Sequence, residues 1–331
     1  RALMGAEVLT TLVVPQSVTR VGYRAFYGCQ NILYIEWGAK AALEASYFDD
    51  VSRHGNMLVY VQDRNTRVTY QGNVVVENIA DHIVLTEGLP FRNIREFTAR
   101  QISYTHDFSK QTHIGVSGGW EALILPFSVK NVTSKEKGKL LPFGKADFIT
   151  SLPYWIANLQ ANGTFAYIDE ITANMPFIMK VPNSDEYEDI YNISGNIIFS
   201  AEDVVVSATT SLSQPSGSGY TLAGCYEGVP AGSRVFALNE EDYMVGGATY
   251  VPGGLFASGI RDIRPFEAYV YNESSMRAPY LRIGGDDGTR LTAPMLDSSD
   301  DGWYTLQGIR LSGKPVEKGA YIHRNKVVYI K

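Results

Sequence analysis

Short runs of β-branched and aliphatic residues recur along the chain, and each is bounded by Gly, Pro, Asn or Asp. The clearest are residues 12–14, 58–61, 74–76, 83–85 and 123–125. Such runs are typical of β-strands separated by turns. Only 39–47 and 154–160 have the pattern of helical turns, and neither segment is long enough to be stable alone. Closely spaced strands with so little helix predict a mainly β fold with sandwich architecture.

The amino-acid composition restricts the classes of protein to which this chain can belong. Of the 331 residues, 45% are hydrophobic, which is typical of a folded chain and argues against long disorder. The net charge is −6, so we expect no basic surface for nucleic acid. No apolar run approaches the roughly 18 residues that would span a bilayer. The chain begins at Arg1 without a signal-peptide pattern, and we interpret it as a mature or trimmed fragment.

The segment 9–35 has the pattern of a stacking coil, with a strand-like run at each end and glycines between them. We expect Phe26 and Cys29 to fill the interior of the coil and the glycines to relieve its tight corners. Phe48 lies 22 positions after Phe26 and marks a degenerate second copy, which the strand-like run 57–61 follows. A period of about 20–29 residues is that of leucine-rich repeats.

The stretch VPQSVTRVGYRAFYGC within this segment resembles the leucine-rich repeat of BspA-like surface proteins. The matching residues are Pro15, Ser17, Val18, Thr19, Gly22, Ala25, Phe26, Gly28 and Cys29. The resemblance implies a leucine-rich-repeat unit within residues 1–61, export from a Bacteroides-type bacterium and an adhesive role at the cell surface. Such arrays usually need three or more repeats. Either the array is longer than this chain, or its coils lean on the next domain.

Two further parts of the chain are similar to segments of such surface proteins. Residues 90–285 resemble the β-rich segments that follow these repeats, and 303–331 resemble a small C-terminal β module reminiscent of type IX sorting domains. We therefore divide the chain into a repeat remnant at 1–61, a β-sandwich region at 62–285, and a linker with a C-terminal β-hairpin module at 286–331. A Ser- and Gly-rich stretch at 211–219 marks a boundary between two domains or two sheets of one sandwich.

The patterns of familiar catalytic and metal sites fail in this chain. Residues 115–119 fit the Gly-x-Ser-x-Gly pattern of a hydrolase nucleophile, but a β run follows instead of the required helix, so we expect a glycine-rich loop. The five histidines form no metal-binding motif, and the two cysteines form no Cys-x-x-Cys site. We therefore predict a protein with no enzymatic activity and no cofactor. This prediction includes the absence of a deep polar pocket where titratable groups converge.

These patterns favour an exported cell-surface protein that binds a host protein, a matrix protein or a glycan. The candidate exposed aromatic residues are Tyr269, Tyr271 and Trp303. In the alternating run 266–271, the two tyrosines lie opposite the face that Phe266, Ala268 and Val270 are expected to bury. Two alternatives stay open: a carbohydrate-binding or carbohydrate-processing module, and a structural spacer.

Overall fold

The computed structural model describes residues 3–48, 55–114, 116–217, 219–272, 280–283, 303–305, 311, 313–316, 318–323 and 326–330. Within them, nearly all regular structure is β, so the prediction of a mainly β fold is confirmed. In the first segment expected to be helical, residues 39–47, the only helical structure is a 3-10 turn at Ala45–Tyr47. The other, 154–160, is wrong because its residues belong to the strand Leu152–Leu159. That strand is buried on both faces, and its mostly apolar sequence is hard to distinguish from a short buried helix.

Four parallel strands begin the fold. They are β1 (Thr11–Val14), β2 (Tyr34–Trp37), β3 (Leu58–Val61) and β4 (Asn73–Val76). Each strand pairs in register with the next one along the chain. Because parallel neighbours need a crossover, the chain must return to the same end of the sheet after each strand. The described residues 3–48 and 55–76 therefore trace successive parallel strands with returns between them, and we call these units coils.

Aromatic side chains stack through the interior of these coils. The rings of Phe26 and Phe48 lie 5.3 Å apart between centroids, and those of Phe48 and Tyr70 lie 4.8 Å apart. All three side chains are buried, together with Cys29 and Trp37. The spacing is 22 residues at both steps of this ladder. We refer to this buried cluster as the coil core, and its members run as far as Tyr70, beyond residue 61.

The coils are tied to the rest of the protein through β3. The hydroxyl of Tyr60 donates a 2.6 Å hydrogen bond to Asn93 Oδ1, and the amide of Asn93 donates to the carbonyl oxygens of Val206 and Ser207. The guanidinium of Arg95 also lies 4.3 Å from the centroid of the Tyr60 ring. Since Asn93 is fully buried with its polar groups satisfied, these contacts fix the coils against the following strands.

The sheet continues through nine more strands. They are β5 (Ile79–Thr86), β6 (Phe97–Phe108), β7 (Glu121–Leu123), β8 (Asn131–Ser134), β9 (Gly138–Pro142), β10 (Leu152–Leu159), β11 (Phe165–Tyr167), β12 (Phe177–Lys180) and β13 (Gly195–Val206). The strand order is β1-β2-β3-β4-β5-β6-β13-β8-β9-β10-β12-β7, and β11 pairs with β10. A two-residue turn at Glu77 and Asn78, both with positive φ, joins β4 to β5.

This sheet folds back over its own core. One buried cluster, the main core, contains side chains from β5, β6 and β13 and also from β10, β12 and β7. The opposite faces of β10, β12 and β7 contribute to a second core. In β10, for example, Tyr154 and Ile156 belong to the main core, whereas Ala157 and Leu159 belong to the second core. The middle strands are therefore buried on both faces.

A second sheet covers the second core. Its region contains β14 (Ser216–Gly217), β15 (Tyr220–Gly224), β16 (Val235–Leu238), β17 (Tyr243–Val245), β18 (Ala248–Tyr250), β19 (Leu255–Ser258), β20 (Ala268–Asn272) and β21 (Tyr280–Arg282). Six of these form an antiparallel sheet in the order β14-β15-β20-β16-β19-β21, and β17 pairs with β18 in a separate hairpin. The chain passes from the first sheet to the second between Val206, the last residue of β13, and Ser216, the first residue of β14.

Three strands near the C-terminus form a sheet of their own. They are β22 (Trp303–Thr305), β23 (Gly319–His323) and β24 (Lys326–Ile330), and they pair antiparallel in that order. The linker expected from 286 onwards lies outside the described residues as far as Gly302.

Candidate functional site

The aromatic residues predicted to form an exposed surface lie in two separate sheets. Tyr269 and Tyr271 occupy alternate positions of β20, opposite the buried Ala268 and Val270, and both tyrosines are half-buried. Burial raises the pKa of the Tyr269 hydroxyl above its ordinary value. Trp303 is also half-buried, and its indole stacks on His323 with ring centroids 4.3 Å apart. The three residues thus belong to two different sheets, with Tyr269 and Tyr271 in β20 and Trp303 in β22.

The residues of the predicted repeat divide into interior and surface positions. Phe26 and Cys29 lie inside, and Cys29 Sγ contacts the carbonyl oxygen of Leu3 at 2.9 Å. Ala25 is half-buried, and Pro15 and Gly22 are exposed. Gly28 has a φ of +78°, and a Cβ atom there would lie 3.3 Å from the backbone of Gly5, which explains the glycine. Gly22 has neither constraint, so the backbone there does not require a glycine, although a turn begins at this residue, in which the amide of Ala25 donates to the Gly22 carbonyl oxygen.

Four titratable side chains converge at the end of β6, in a group that we call the His106 cluster. His106 Nδ1 lies 2.7 Å from Glu87 Oε1, and His106 Nε2 lies 3.8 Å from Glu121 Oε2. Lys110 Nζ contacts the same Glu121 oxygen. Neither contact of the imidazole has the geometry of a good hydrogen bond, so both are ion pairs. His106 and Glu121 are buried. The sequence led us to expect no deep polar pocket in which titratable groups converge, and here such groups converge in the interior.

A shift in the alternation of β6 turns His106 inward. Phe97 and Ala99 face the core at the start of the strand, but Ile102, Tyr104 and His106 face it farther along. The change occurs at Arg100 and Gln101, which are both exposed. The pairing with β13 keeps the same register on both sides of this point and leaves out one residue of each strand, Arg100 and Asp203. The break in alternation moves every later side chain of β6 to the opposite face, and it places an ionisable group among aromatic rings.

The charges of the His106 cluster hold one another in the ionised state. Desolvation acts against ionisation of His106, but the carboxylates of Glu121 and Glu87 prevail and raise its pKa to about 9. Desolvation opposes ionisation of Glu121 too, yet its pKa is lowered, because His106 and Lys110 are both adjacent. At neutral pH the imidazole is therefore protonated. An imidazolium has no lone pair to accept a proton, so His106 is unsuited to act as a general base.

The His106 cluster predicts a fall in stability above neutral pH. The folded-state pKa of His106 is about 9 and exceeds the unfolded value of about 6.5, so its contribution is complete below pH 6.5 and is lost as the pH rises through 9. We expect a loss on the order of 3 kcal/mol in urea unfolding experiments. Lys180 has a pKa of about 8 and titrates with the opposite sign. The difference between wild type and His106→Gln therefore isolates the effect, and an unchanged difference from pH 6 to 9.5 would contradict it.

The Gly-x-Ser-x-Gly stretch forms a loop between strands in its described part. The hydroxyl of Ser117 donates a hydrogen bond to the carbonyl oxygen of Ile283 and is thus engaged. Gly119 has a φ of +73°, and Trp120 leads directly into β7 without a helix. The prediction of a glycine-rich loop is confirmed for these residues, whereas Gly115 lies outside the described residues.

An open cleft of about 410 Å³ lies beside β10 and β11. Its polar lining includes Asn158, Tyr167, Asp169, Glu170 and Thr172. The Tyr167 side chain is 46% exposed, and the side-chain amide of Gln160 donates a hydrogen bond to Asn158 Oδ1. Lys145 Nζ lies 3.2 Å from Asp169 at the rim. Sequence analysis missed this site, although a tyrosine followed closely by two acidic residues was visible in the segment FAYIDE.

A second exposed aromatic group lies on the first coil. Tyr23 is 68% exposed, and Tyr27 is also exposed. The guanidinium of Arg24 lies 5.1 Å from the Tyr23 ring and 4.9 Å from the Tyr27 ring, within the range of cation–π attraction. We call this group the Tyr23–Tyr27 surface.

No family model, curated protein or solved structure matches the chain. In the described parts of the chain, no three His, Cys, Asp or Glu side chains are placed to hold a metal ion. None of the helical structure described is long and apolar enough to cross a bilayer. Cys29 and Cys225 are both buried free thiols.

Proposed function

We propose that the chain is part of an exported, non-enzymatic cell-surface protein whose ligand is a glycan, bound at the cleft beside Tyr167. The exposed ring of Tyr167 at an open, polar cleft is the observation that carries this proposal. A sugar ring presents C–H groups on its faces and hydroxyls at its edge. It therefore fits an aromatic face that is flanked by amide and carboxylate groups. Asn158 and Glu170 supply such groups.

The coil structure supports kinship with BspA-like leucine-rich-repeat proteins, and this kinship is the basis for export and a surface location. Parallel strands at 11, 34 and 58 recur with the period of such repeats. The 22-residue ladder of Phe26, Phe48 and Tyr70 adds a third step to the pattern. We further propose that β22 to β24 form the C-terminal β module. In this interpretation the repeats pack against the following strands and are joined to them by the hydrogen bond between Tyr60 and Asn93.

Mutual pairing within the His106 cluster favours a non-enzymatic protein. Catalysis by proton transfer needs a group whose acidic or basic form is free to react near neutral pH. His106 faces a carboxylate at each ring nitrogen, and Glu121 faces two cations. These groups satisfy one another's charges, which is the arrangement of a structural ion cluster.

Replacing Tyr167 by alanine is expected to weaken glycan binding about tenfold, because the loss of one stacking contact costs about 1.4 kcal/mol. Wild type and variant are compared on a glycan array, and the Kd of the strongest hit is then measured by calorimetry. Tyr23→Ala is the matched control, since it removes an exposed tyrosine from a different surface. A wild-type protein that binds no glycan above background would contradict the proposal.

A host or matrix protein is the second candidate ligand, and the Tyr23–Tyr27 surface favours it. Tyrosine and arginine are enriched among the residues that dominate protein–protein binding energy. The same pair of variants separates the two ligands. Binding to immobilised matrix proteins that is lost in Tyr23→Ala and retained in Tyr167→Ala would support a protein ligand.

A further inference from the structure

A row of three side chains crosses the middle strands at the end of β12. Lys180 is paired in register with Trp155 of β10. On its other side, the register of β12 with β7 brings Trp120 next to Lys180, because Met179 pairs with Glu121. Lys180 Nζ lies 4.7 Å from the ring centroid of Trp120 and 5.5 Å from that of Trp155. The ammonium is thus held between two indole faces.

Lys180 is buried without an acidic partner. It is 7% exposed, and burial alone lowers its pKa to about 8, with no described carboxylate acting against that shift. Lys110 differs in this respect: its side chain is 13% exposed, and its ammonium contacts the Glu121 carboxylate. Indole faces offset part of the cost of burying a charge, but less than the full penalty. A methionine would fill the same space without this cost, so packing does not explain the lysine.

We propose that Lys180 is a nucleophilic amine that captures a small aldehyde as an imine. The neutral amine nitrogen attacks the carbonyl carbon, and the carbonyl oxygen takes up protons that the nitrogen releases. The carbinolamine then expels this oxygen as water, which leaves a C=N bond between the ligand and Nζ. Lysines in desolvated, aromatic surroundings are suited to this step because burial increases the neutral fraction of the amine.

The two tryptophans at the ends of the row differ in exposure, and this difference indicates from which side a ligand approaches Lys180. Trp120 is fully buried, whereas Trp155 is half-buried and stacks on the half-buried ring of Phe143, with centroids 5.1 Å apart. A ligand therefore reaches Lys180 past Trp155 and Phe143. Aromatic walls at this opening fit an aldehyde with a short apolar or aromatic substituent better than a charged one.

Selective labelling of the wild-type protein tests the proposal. The full chain is treated at pH 7 with limiting acetaldehyde and sodium cyanoborohydride, and the rate of ethylation of each lysine is measured by peptide mapping. An amine with a pKa of about 8 is roughly 10% neutral at pH 7, against less than about 0.1% for an ordinary lysine. We expect Lys180 to be labelled at least about tenfold faster than the exposed Lys139. Labelling of Lys180 at the rate of Lys139 or slower would overturn the proposal.

Two variants distinguish a reactive amine from an accessible one. Lys180→Arg keeps the cation between the indoles and is expected to remove the fast-labelled site without adding another. Trp155→Ala exposes Lys180 to water, which raises its pKa towards the ordinary value. We therefore expect the ratio of the labelling rates of Lys180 and Lys139 to fall towards one, although the aldehyde then reaches Lys180 more easily. Faster labelling of Lys180 in Trp155→Ala would show that access alone limits the reaction. Circular dichroism verifies that each variant is folded, and the wild-type rates test the proposal without them.

Discussion

Glu121→Gln is expected to lower the free energy of unfolding by about 3–5 kcal/mol, because it leaves His106 and Lys110 as buried cations facing a neutral amide. The Glu121 carboxylate is buried and contacts both cations through the same oxygen. The remaining carboxylate, Glu87, is partly open to water, and of the two cations it contacts only His106, through the other ring nitrogen. Urea denaturation at pH 6.5, followed by tryptophan fluorescence, measures the loss.

Two comparison variants test whether burial is the reason for the large effect of Glu121→Gln on stability. Asp81→Asn breaks an ion pair with Arg100 in which both side chains are largely exposed, and we expect a change within about 0.5 kcal/mol. Replacing His106, Lys110 and Glu121 together by Phe, Met and Leu should recover most of the stability that Glu121→Gln loses, since no buried charge is left unpaired. A loss below 1 kcal/mol for Glu121→Gln would mean that water reaches the cluster.

The sequence predicted that Phe26 and Cys29 are interior residues, and both are buried in the structure. Phe26 and Phe48 are 22 residues apart, and the structure stacks them. Extending the same interval reaches Tyr70, the third step of the ladder, which the sequence analysis did not use. A period is a local pattern that repeats along the chain, so it can be read without knowledge of tertiary contacts.

The His106 cluster was beyond prediction for a physical reason. Its members lie at positions 87, 106, 110 and 121, and the orientation of His106 depends on the break in alternation at Arg100 and Gln101. This break depends on the neighbouring strands, which no spacing rule reveals. Lys180 differs in this respect. It stands in the run PFIMKVP, and a lysine in an otherwise apolar strand is a sign of a buried charge that the sequence analysis did not use.

Phe26→Ala is expected to destabilise the coils by about 3–5 kcal/mol, the usual cost of deleting a buried phenylalanine ring. The ring is 5% exposed and lies 5.3 Å from Phe48 and 6.4 Å from Trp37 between centroids. Its removal leaves a cavity that these two large rings cannot close without leaving their own contacts. Tyr23→Ala is the control, because that ring is exposed and its loss should change stability by no more than about 0.5 kcal/mol.

Phe26→Ala also tests whether the coils unfold independently of the strands against which they pack. The coil core and the main core are separate buried clusters, joined at Tyr60 and Asn93. If the coils open as a unit, Phe26→Ala should speed amide hydrogen exchange in β1, β2 and β3 while β6 and β13 keep their protection. Equal loss of protection in β13 would show one cooperative unit instead. The contacts of Tyr60 would then transmit the full cost of the cavity into the main core, because its hydroxyl and Asn93 satisfy each other inside the protein.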